Sequence, residues 1–246
     1  MVNNYIKTAI QGHVFTLTLD RESKRNAFTP TFVNEVAHAI KQANSLKQIK
    51  LFVLRANGPV FCAGMDLLVY QNPELDKVNK AIENKDISLA EVMDSLEKPS
   101  IAILEGDVIA GGFMFILGCT YVYAKKEIQF KLPEIALGIF PFQVMAGLLR
   151  ILPEKKVLQL CLDPKSFSLQ QAMEYGIVDA IFQEQQLNTL LDAFADKSTK
   201  AIQAGMRALK DLRNIDESLR YSYLLKSLAS LKDDPEVKRR MSKFQK

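Results

Sequence analysis

The residues of this sequence best suited to chemistry are concentrated in one stretch, residues 105–141, which reads EGDVIAGGFMFILGCTYVYAKKEIQFKLPEIALGIFP. Two adjacent glycines, Gly111 and Gly112, stand at the entrance to an apolar block, a pattern that predicts a strand turning sharply into a buried helix. The first N–H groups of such a helix have no partner within it and can face a ligand. A lone carboxylate, Glu134, follows Pro133 in an otherwise apolar segment. Amide donors and one acid in apolar surroundings are suited to stabilising an enolate and moving protons.

The composition is that of an ordinary globular protein, with 246 residues of which 48% are hydrophobic and 24% are charged. This length allows one large domain, or a main domain with a smaller appendage. The net charge is +4, and the basic residues are scattered as far as the C-terminal tail. A protein that binds nucleic acid would more often concentrate them on one surface, so we expect no nucleic-acid partner. A mild positive balance would suit a small molecule that carries phosphate groups.

The cysteines and the apolar segments indicate a cytoplasmic protein. Cys62, Cys119 and Cys161 lie in apolar contexts without metal-ligand spacing, which predicts buried free thiols in a reducing compartment. The first ten residues, MVNNYIKTAI, lack the regions of a signal peptide, and no uninterrupted apolar run reaches the length of a membrane span. We therefore expect a cytoplasmic location and no membrane association.

Hydrophobic periodicity predicts alternating strands and helices. Strands over residues 14–19 and 50–55 flank a helix over residues 30–46, for which Thr29 is the cap and Pro30 the first residue. A strand, a helix and a strand in this order indicate a βαβ unit with parallel pairing. Further strands are predicted within SIAILEG, YVYA, IQF and VDAIF, and further helices over residues 87–96, 143–152 and 154–162 and within SLQQAMEYGIV. The pattern is helical from residue 187 onwards.

Five segments, in this order and at this spacing, carry a family resemblance: DRESKRNAF, FCAGMDL, EGDVIAGGF, LPEIALGIFP and SLQQAMEYGIVDAI. Together they resemble the enoyl-CoA hydratase/isomerase family, also called crotonases, nearly from end to end. The resemblance implies an α/β fold, a repeated ββα superhelix over residues 1–186, with a helical trimerisation region over residues 187–246. It also implies a homotrimer or hexamer that acts on acyl-CoA thioesters. No metal or redox cofactor is expected, because CoA enters as part of the substrate.

The resemblance also assigns site residues by position. The backbone amides of Met65 and Gly111 would form an oxyanion hole for the thioester oxygen, and Glu134 would be the catalytic acid and base. Preformed amide donors of this kind are each worth about 3–4 kcal/mol of activation barrier. The CoA-binding positions are Lys24 and Arg25 near the phosphates, Ala27 and Ala63 through their carbonyls at the adenine, Asp66 and Leu67 at the end of FCAGMDL, and Lys243 and Phe244 in the tail.

The sequence departs from a typical hydratase at two positions. Hydratases carry a second catalytic glutamate three residues after the oxyanion glycine, where this chain has Met114. They also usually have glycine directly after the proline, where this chain has Phe142 after Pro141. We therefore expect the aromatic ring of Phe142 to fill the site, with Met114 and Phe142 both lining the substrate pocket. Family isomerases that shift a double bond from position 3 to position 2 often need only one glutamate. Burial is expected to raise the pKa of Glu134 and to let it act as both base and acid.

We therefore predict an isomerase, with Glu134 as the single acid and base, rather than a lyase. A hydratase with altered catalytic residues, a decarboxylase of malonyl-type thioesters and a catalytically silent acyl-CoA-binding protein are the alternatives. RNA binding through a lysine-rich first helix is disfavoured, because residues 30–46 contain only one lysine, Lys41.

Two acids can also be interpreted as having a structural role. Glu134 could be satisfied by local amides or by Lys131, and Asp107 could be a solvated carboxylate at a strand end rather than a second acid.

Overall fold

Ten strands form two separate sheets in the computed structural model, which describes residues 5–243. The strands are β1 (Ile6–Gln11), β2 (Val14–Leu19), β3 (Leu51–Ala56), β4 (Val60–Cys62), β5 (Ser100–Leu104), β6 (Asp107–Ile109), β7 (Tyr121–Ala124), β8 (Gln129–Lys131), β9 (Ser166–Ser168) and β10 (Ala180–Ile181). The larger sheet has six strands in the order β1-β2-β3-β5-β7-β10, and the smaller has four in the order β4-β6-β8-β9. Neighbouring strands are parallel except in the antiparallel β1/β2 and β8/β9 pairs.

The helices surround the sheets and make up the C-terminal region. They are α1 (Pro30–Ser45), α2 (Leu67–Gln71), α3 (Leu89–Asp94), α4 (Phe113–Ile116), α5 (Phe142–Leu148), α6 (Glu154–Leu162), α7 (Leu169–Glu174), α8 (Glu184–Ala195), α9 (Thr199–Asp211), α10 (Glu217–Asp233) and α11 (Pro235–Ser242). The first helix starts as predicted, because Thr29 accepts a hydrogen bond from the Phe32 N–H at 3.2 Å and Pro30 occupies the first helical position. None of the helices within residues 5–243 has the length and apolar character that a membrane span requires.

A repeating unit of two strands and a helical segment builds both sheets at once. Strands β3, β5 and β7 join the larger sheet, and the strands that directly follow them, β4, β6 and β8, join the smaller sheet. Helical segments α2–α3, α4 and α5–α6 come after the successive pairs. The ββα superhelix that the resemblance implies is therefore confirmed.

This repeat brings the carboxyl ends of three parallel strands to one edge of the smaller sheet. Strand β6 pairs in parallel with β4 on one side and with β8 on the other. The segment after β4 contains Met65, the segment after β6 contains Gly111, and the segment after β8 contains Glu134. Ligands of α/β proteins commonly bind outside the carboxyl ends of parallel strands. The topology thus gathers the predicted catalytic residues at a place suited to a binding site.

Two apolar clusters lie on opposite faces of the larger sheet, because successive side chains of a strand point to opposite sides. The larger cluster includes the fully buried rings of Phe15, Phe32, Phe52, Phe61, Phe113, Phe115 and Phe130. In the smaller cluster, Leu187 and Phe194 of α8 pack with strand residues that include Val53 and Ile101. The predicted division between residues 186 and 187 thus falls within a helix that covers the sheet.

Three strands, β1, β4 and β9, have no counterpart in the sequence prediction. Five of the six residues of β1 are exposed, and β4 and β9 have only three residues each, so none shows the alternation of a half-buried strand. The remaining predicted strands and helices are present, although the helix predicted over residues 143–152 ends at Leu148. No strand follows β10 in the part of the chain up to residue 243, in agreement with the predicted helical C-terminal region.

The helix α10 exposes an apolar surface to solvent. It has no buried residue, and four exposed apolar side chains recur at helical spacing on one side, namely Tyr221, Leu224, Leu225 and Leu228. We call these four residues the α10 apolar surface. An apolar stripe on a helix usually packs against another element, so this surface is suited to contact with a second chain.

Candidate active site

A cleft of about 570 Å³ lies at the carboxyl edge of the smaller sheet. All three predicted catalytic residues line it, Met65, Gly111 and Glu134, and so do the two predicted pocket residues, Met114 and Phe142. The topology therefore brings together residues that are far apart in the sequence. Their catalytic roles are still predictions, which rest on the geometry described next.

The two predicted amide donors are held side by side by a close approach of two loops. Gly64 has a φ of 86°, and a Cβ atom there would lie 2.7 Å from the Cβ atom of Ala110 and 3.1 Å from the nitrogen of Gly111. Only glycine allows this contact, which sets the N–H of Met65, one residue later, close to the N–H of Gly111. Within residues 5–243, no hydrogen bond outside the regular helices and strands uses either N–H group. Both donors are available for an oxyanion.

Backbone strain accompanies the second donor. Ala110 has a φ of 52°, in the left-handed region that disfavours residues with a Cβ atom. Such a conformation costs about 1–3 kcal/mol and persists only where the surroundings enforce it. The strained residue directly precedes Gly111, whose missing side chain leaves room for the Phe28 ring, because a Cβ atom there would lie 2.9 Å from that ring. The position of the Gly111 amide is thus fixed before any ligand binds.

The DRESKRNAF loop fixes the first donor. Phe28 bridges the segment around Met65, donating its N–H to the Gly64 oxygen at 2.8 Å and accepting from the Asp66 N–H at 2.9 Å. Arg21 adds a side-chain link, with Nη1 at 2.7 Å from both the Ala27 oxygen and Asp66 Oδ2. The residues on either side of Met65, Gly64 and Asp66, are therefore both held by hydrogen bonds, and these fix the position of the Met65 amide.

The carboxylate of Asp66 serves the local structure. It caps α2 by accepting from the N–H groups of Leu68 and Val69, in addition to its ion pair with Arg21. Burial by itself would raise the pKa of Asp66, but the hydrogen bonds from Arg21 and from these amides outweigh it and hold the pKa below its usual value. Asp66 therefore remains ionised and supports the helix start beside the site.

Glu134 is a buried carboxylate without full hydrogen bonding. The residue is 7% exposed, and Oε2 is buried with no hydrogen-bond partner. Burial raises the pKa of Glu134, against the smaller opposing effect of a backbone hydrogen bond. No ion pair joins it to Lys131 in the described part of the chain, so the interpretation as a satisfied edge acid is not supported. An unpartnered, easily protonated carboxylate in a cleft is suited to proton transfer.

The rest of the cleft is mainly apolar. Besides Glu134, the lining residues with polar side chains are Tyr70 and Gln143. Phe142 is 68% exposed and packs against Phe140 with 5.2 Å between ring centroids. The expectation that its ring would fill the site was therefore wrong, because the residue begins α5 and remains open to solvent. It lines the cleft without closing it.

The predicted CoA-binding residues divide between two clefts. Ala63 and Leu67 line the cleft of Glu134, whereas Lys24 and Asp66 line a neighbouring cleft of about 590 Å³. The Arg25 oxygen accepts from the Ala63 N–H at 3.0 Å. The short helix α2 separates the two clefts, since Leu67 and Tyr70 line one and Leu68 and Val69 line the other. Lys243 is exposed at the end of α11, and Phe244 lies outside the described residues.

Sequence reasoning missed several residues that shape this region. Asn26 is fully buried in a left-handed conformation and donates to the Asn57 and Val60 oxygens at 2.9 Å, which ties the loop to β4. Tyr70 lies in α2 and Gln143 in the first turn of α5, and no feature of the sequence near either residue indicates that it lines the cleft. Asp107 accepts from the Gln129 N–H at 2.7 Å and lines a different cavity, so the solvated strand-end interpretation is the better one.

Comparison with known proteins connects this chain to a family. The family model described as "Enoyl-CoA hydratase/isomerase" matches residues 9–237. The solved structure titled "Pseudomonas aeruginosa AtuE" superposes with a TM-score of 0.87 at 22% identity, covering 99% of this chain and 97% of that chain. At this identity the superposition shows the fold alone.

Curated relatives include both reaction types in their names. "Enoyl-CoA hydratase domain-containing protein 3, mitochondrial" of Danio rerio is 26% identical over 73% of this chain, which spans only 62% of that relative. "2,3-dehydroadipyl-CoA hydratase" of Escherichia coli (strain K12) is 28% identical over 83% of this chain and 81% of its own length. "Delta(3,5)-Delta(2,4)-dienoyl-CoA isomerase, mitochondrial" of Mus musculus is 26% identical over 87% of this chain and 71% of its own length. These similarities support the family without separating isomerase from hydratase.

The burial of Glu134 leads to a prediction about stability and pH. Because burial raises its pKa above the unfolded value, ionisation is penalised in the folded state, and stability is lost as the pH rises through the folded pKa. We expect Glu134→Gln to increase the free energy of unfolding at neutral pH by on the order of 1 kcal/mol. The gain should disappear at acidic pH, where the wild-type carboxyl is protonated. Denaturant unfolding across the pH range measures this difference.

The matched control is Glu127→Gln, at an exposed acid in the loop between β7 and β8. It should leave the free energy of unfolding nearly unchanged at every pH. Equal effects of the two substitutions, or a Glu134→Gln gain that persists at acidic pH, would contradict the assignment of a destabilised carboxylate to Glu134.

Proposed function

Since the chain belongs to the enoyl-CoA hydratase/isomerase family, we propose that it moves the double bond of an acyl-CoA thioester from position 3 to position 2. The single observation that carries this proposal is the carboxylate content of the cleft. Glu134 is the one acid among the described residues that line it, and Met114 stands where a hydratase has its second glutamate. A cleft with one base and an oxyanion hole has the groups that an isomerisation needs.

In the proposed reaction the thioester oxygen accepts hydrogen bonds from the N–H groups of Met65 and Gly111. Glu134 removes a proton from C2, and the negative charge that develops is delocalised into a dienolate whose oxygen stays in the oxyanion hole. The protonated Glu134 then returns the proton at C4, so that no water or redox partner is consumed. The raised pKa assists both steps, because a less acidic carboxyl is a stronger base towards C2 and holds the proton more firmly until it is returned.

Hydration is the second candidate reaction, and the curated hydratase relatives and the two other polar groups of the cleft favour it. A hydratase must activate water and also deliver a proton, which a pair of carboxylates does readily. The thioether of Met114 can do neither, and an amide such as Gln143 can hold a water molecule but cannot deprotonate it. A silent acyl-CoA-binding protein is less well supported, because it would have no use for a buried, unpartnered carboxylate.

A paired assay of the wild type and Glu134→Gln tests the proposed reaction. One substrate is a short 3-enoyl-CoA, followed by conjugation of the product, and the other is a 2-enoyl-CoA, followed by loss of conjugation. We expect isomerisation to fall by about 10²- to 10⁴-fold in the variant, the usual contribution of a positioned acid or base. Glu127→Gln should keep the wild-type rate. Hydration that exceeds isomerisation in the wild type would overturn the proposal in favour of the hydratase.

Substitution of Met114 tests whether hydration requires a second carboxylate at this position. Met114→Glu would put a second carboxylate into the cleft, so we expect 2-enoyl-CoA hydration to rise at least about tenfold, a part of the usual acid–base contribution. Met114→Gln is the matched control, since it has the same shape without the charge and should not hydrate. The interpretation fails if both variants hydrate equally, or if the wild type already hydrates as fast as Met114→Glu.

We also propose that the chain works as a homotrimer or hexamer in the cytoplasm. The exposed α10 apolar surface supports the assembly, and the three free cysteines, of which Cys62 and Cys161 are buried, support a reducing compartment. Acyl-CoA is the proposed partner, with CoA carried in by the substrate.

The assembly can be tested at the α10 apolar surface. We expect sedimentation velocity to give a trimer or hexamer for the wild type and mainly monomer for Leu225→Asp, because a buried unpaired charge opposes association. Ile10→Asp, at a comparably exposed apolar residue of β1, should leave the assembly intact. A monomeric wild type, or a Leu225→Asp variant that still assembles, would rule out this surface as the interface.

A further inference from the structure

A second cavity lies directly behind the active-site cleft. It has a volume of about 40 Å³ and lies between α3 and α5. Met114 and Gln143 line both this cavity and the cleft, so the two spaces are neighbours separated by these side chains. We call the smaller space the rear cavity. Much of its wall is formed by small residues, namely Ala90, Gly118, Ala146 and Gly147.

The side chain of Met114 stands at the partition between the two spaces. Its Cε atom would lie 3.1 Å from a Cβ atom placed on Gly111, so the thioether methyl is next to the proposed oxyanion donor. This is the region into which the carbons beyond the thioester must extend. The methionine side chain is unbranched and apolar. The partition is therefore apolar.

The rear cavity is limited at its other end. Asp94 and Arg150 line it and form a two-pronged ion pair at 2.7 Å and 2.6 Å, and Arg213 approaches the same carboxylate at 3.3 Å. Burying apolar carbons against these charged groups would cost part of their solvation. The wall at Gly147 is closely packed, because a Cβ atom there would lie 2.8 Å from Leu117 Cδ1 and 3.2 Å from Leu117 Cβ. The space beyond Met114 can thus take a few carbons and no more.

We infer that Met114 determines the length of the acyl chain that the cleft accepts, an inference that rests on the proposed acyl-CoA function. In the wild type the methionine closes the floor of the cleft and favours short chains. Its replacement by alanine removes three side-chain heavy atoms and joins the cleft to the rear cavity. Each additional methylene that is then buried strengthens binding by up to about fourfold. Met114 is thus a specificity-determining residue, in addition to occupying the place of a missing acid.

The test measures binding rather than turnover, with saturated acyl-CoA thioesters as unreactive probes. Calorimetry gives the dissociation constants of CoA, butyryl-CoA and octanoyl-CoA for the wild type, Met114→Ala, Ala90→Leu and the double variant. Ala90 is half-buried in α3 and lines the rear cavity but not the cleft, so leucine there fills that cavity alone. Met114→Val serves as a second truncation if the alanine variant does not fold.

We expect Met114→Ala to raise the preference for octanoyl-CoA over butyryl-CoA at least about tenfold, as burial of several methylenes predicts. Ala90→Leu alone should leave butyryl-CoA binding unchanged, and in the double variant the preference should return to the wild-type value. An unchanged preference in Met114→Ala, or one that Ala90→Leu does not reverse, would overturn the inference and leave the isomerase proposal standing. Failure of the wild type to bind any acyl-CoA more tightly than CoA would overturn both.

Discussion

The site depends on a contact that exists only because one side chain is missing. The turns that follow β4 and β6 touch where Gly64 lies against Ala110 and Gly111, and a Cβ atom at Gly64 would push them apart. Their approach is what puts Met65 and Gly111 on the wall of the same cleft. The left-handed Ala110 shows that the fold accepts local strain to keep this arrangement. Everything else in the cleft is positioned relative to this pair of turns.

The smaller sheet determines the position of the buried acid. Because β4, β6 and β8 are parallel neighbours, the residues after their carboxyl ends face one space, and Glu134 enters that space from the third strand. The protein gains no stability from leaving Oε2 without a partner. A carboxylate kept in that condition is better explained by a chemical role than by a structural one, as is common where folds tolerate unfavourable groups.

The sequence predicted those site residues that lie within distinctive sequence segments, and it did not predict those that only tertiary packing brings to the cleft. Gly111, Met65 and Glu134 lie within short distinctive segments, and the topology brings them to one cleft as expected. Tyr70 and Gln143 reach the same cleft only through the tertiary packing of α2 and α5, so their neighbours in the sequence give no hint of it. The exposure of Phe142 was also not predictable, because it depends on how α5, which begins at Phe142, packs against the rest of the fold. The edge strand β1 was missed for a related reason, since its pairing with β2 rather than its own burial pattern defines it.

Arg21 links the loop before α1 to the segment that contains Met65. Its guanidinium holds the Ala27 carbonyl and the Asp66 carboxylate at the same time, and both ion-paired side chains are largely shielded from water. The loop that carries Lys24 and the turn that carries the Met65 amide are therefore one stiff unit. In the proposed reaction, a CoA phosphate group bound at that loop would also shift the Met65 amide, so the nucleotide end of the substrate would help to align the thioester. Thioesters stripped of the nucleotide would then react slowly even when saturating, because part of their binding energy is needed for alignment.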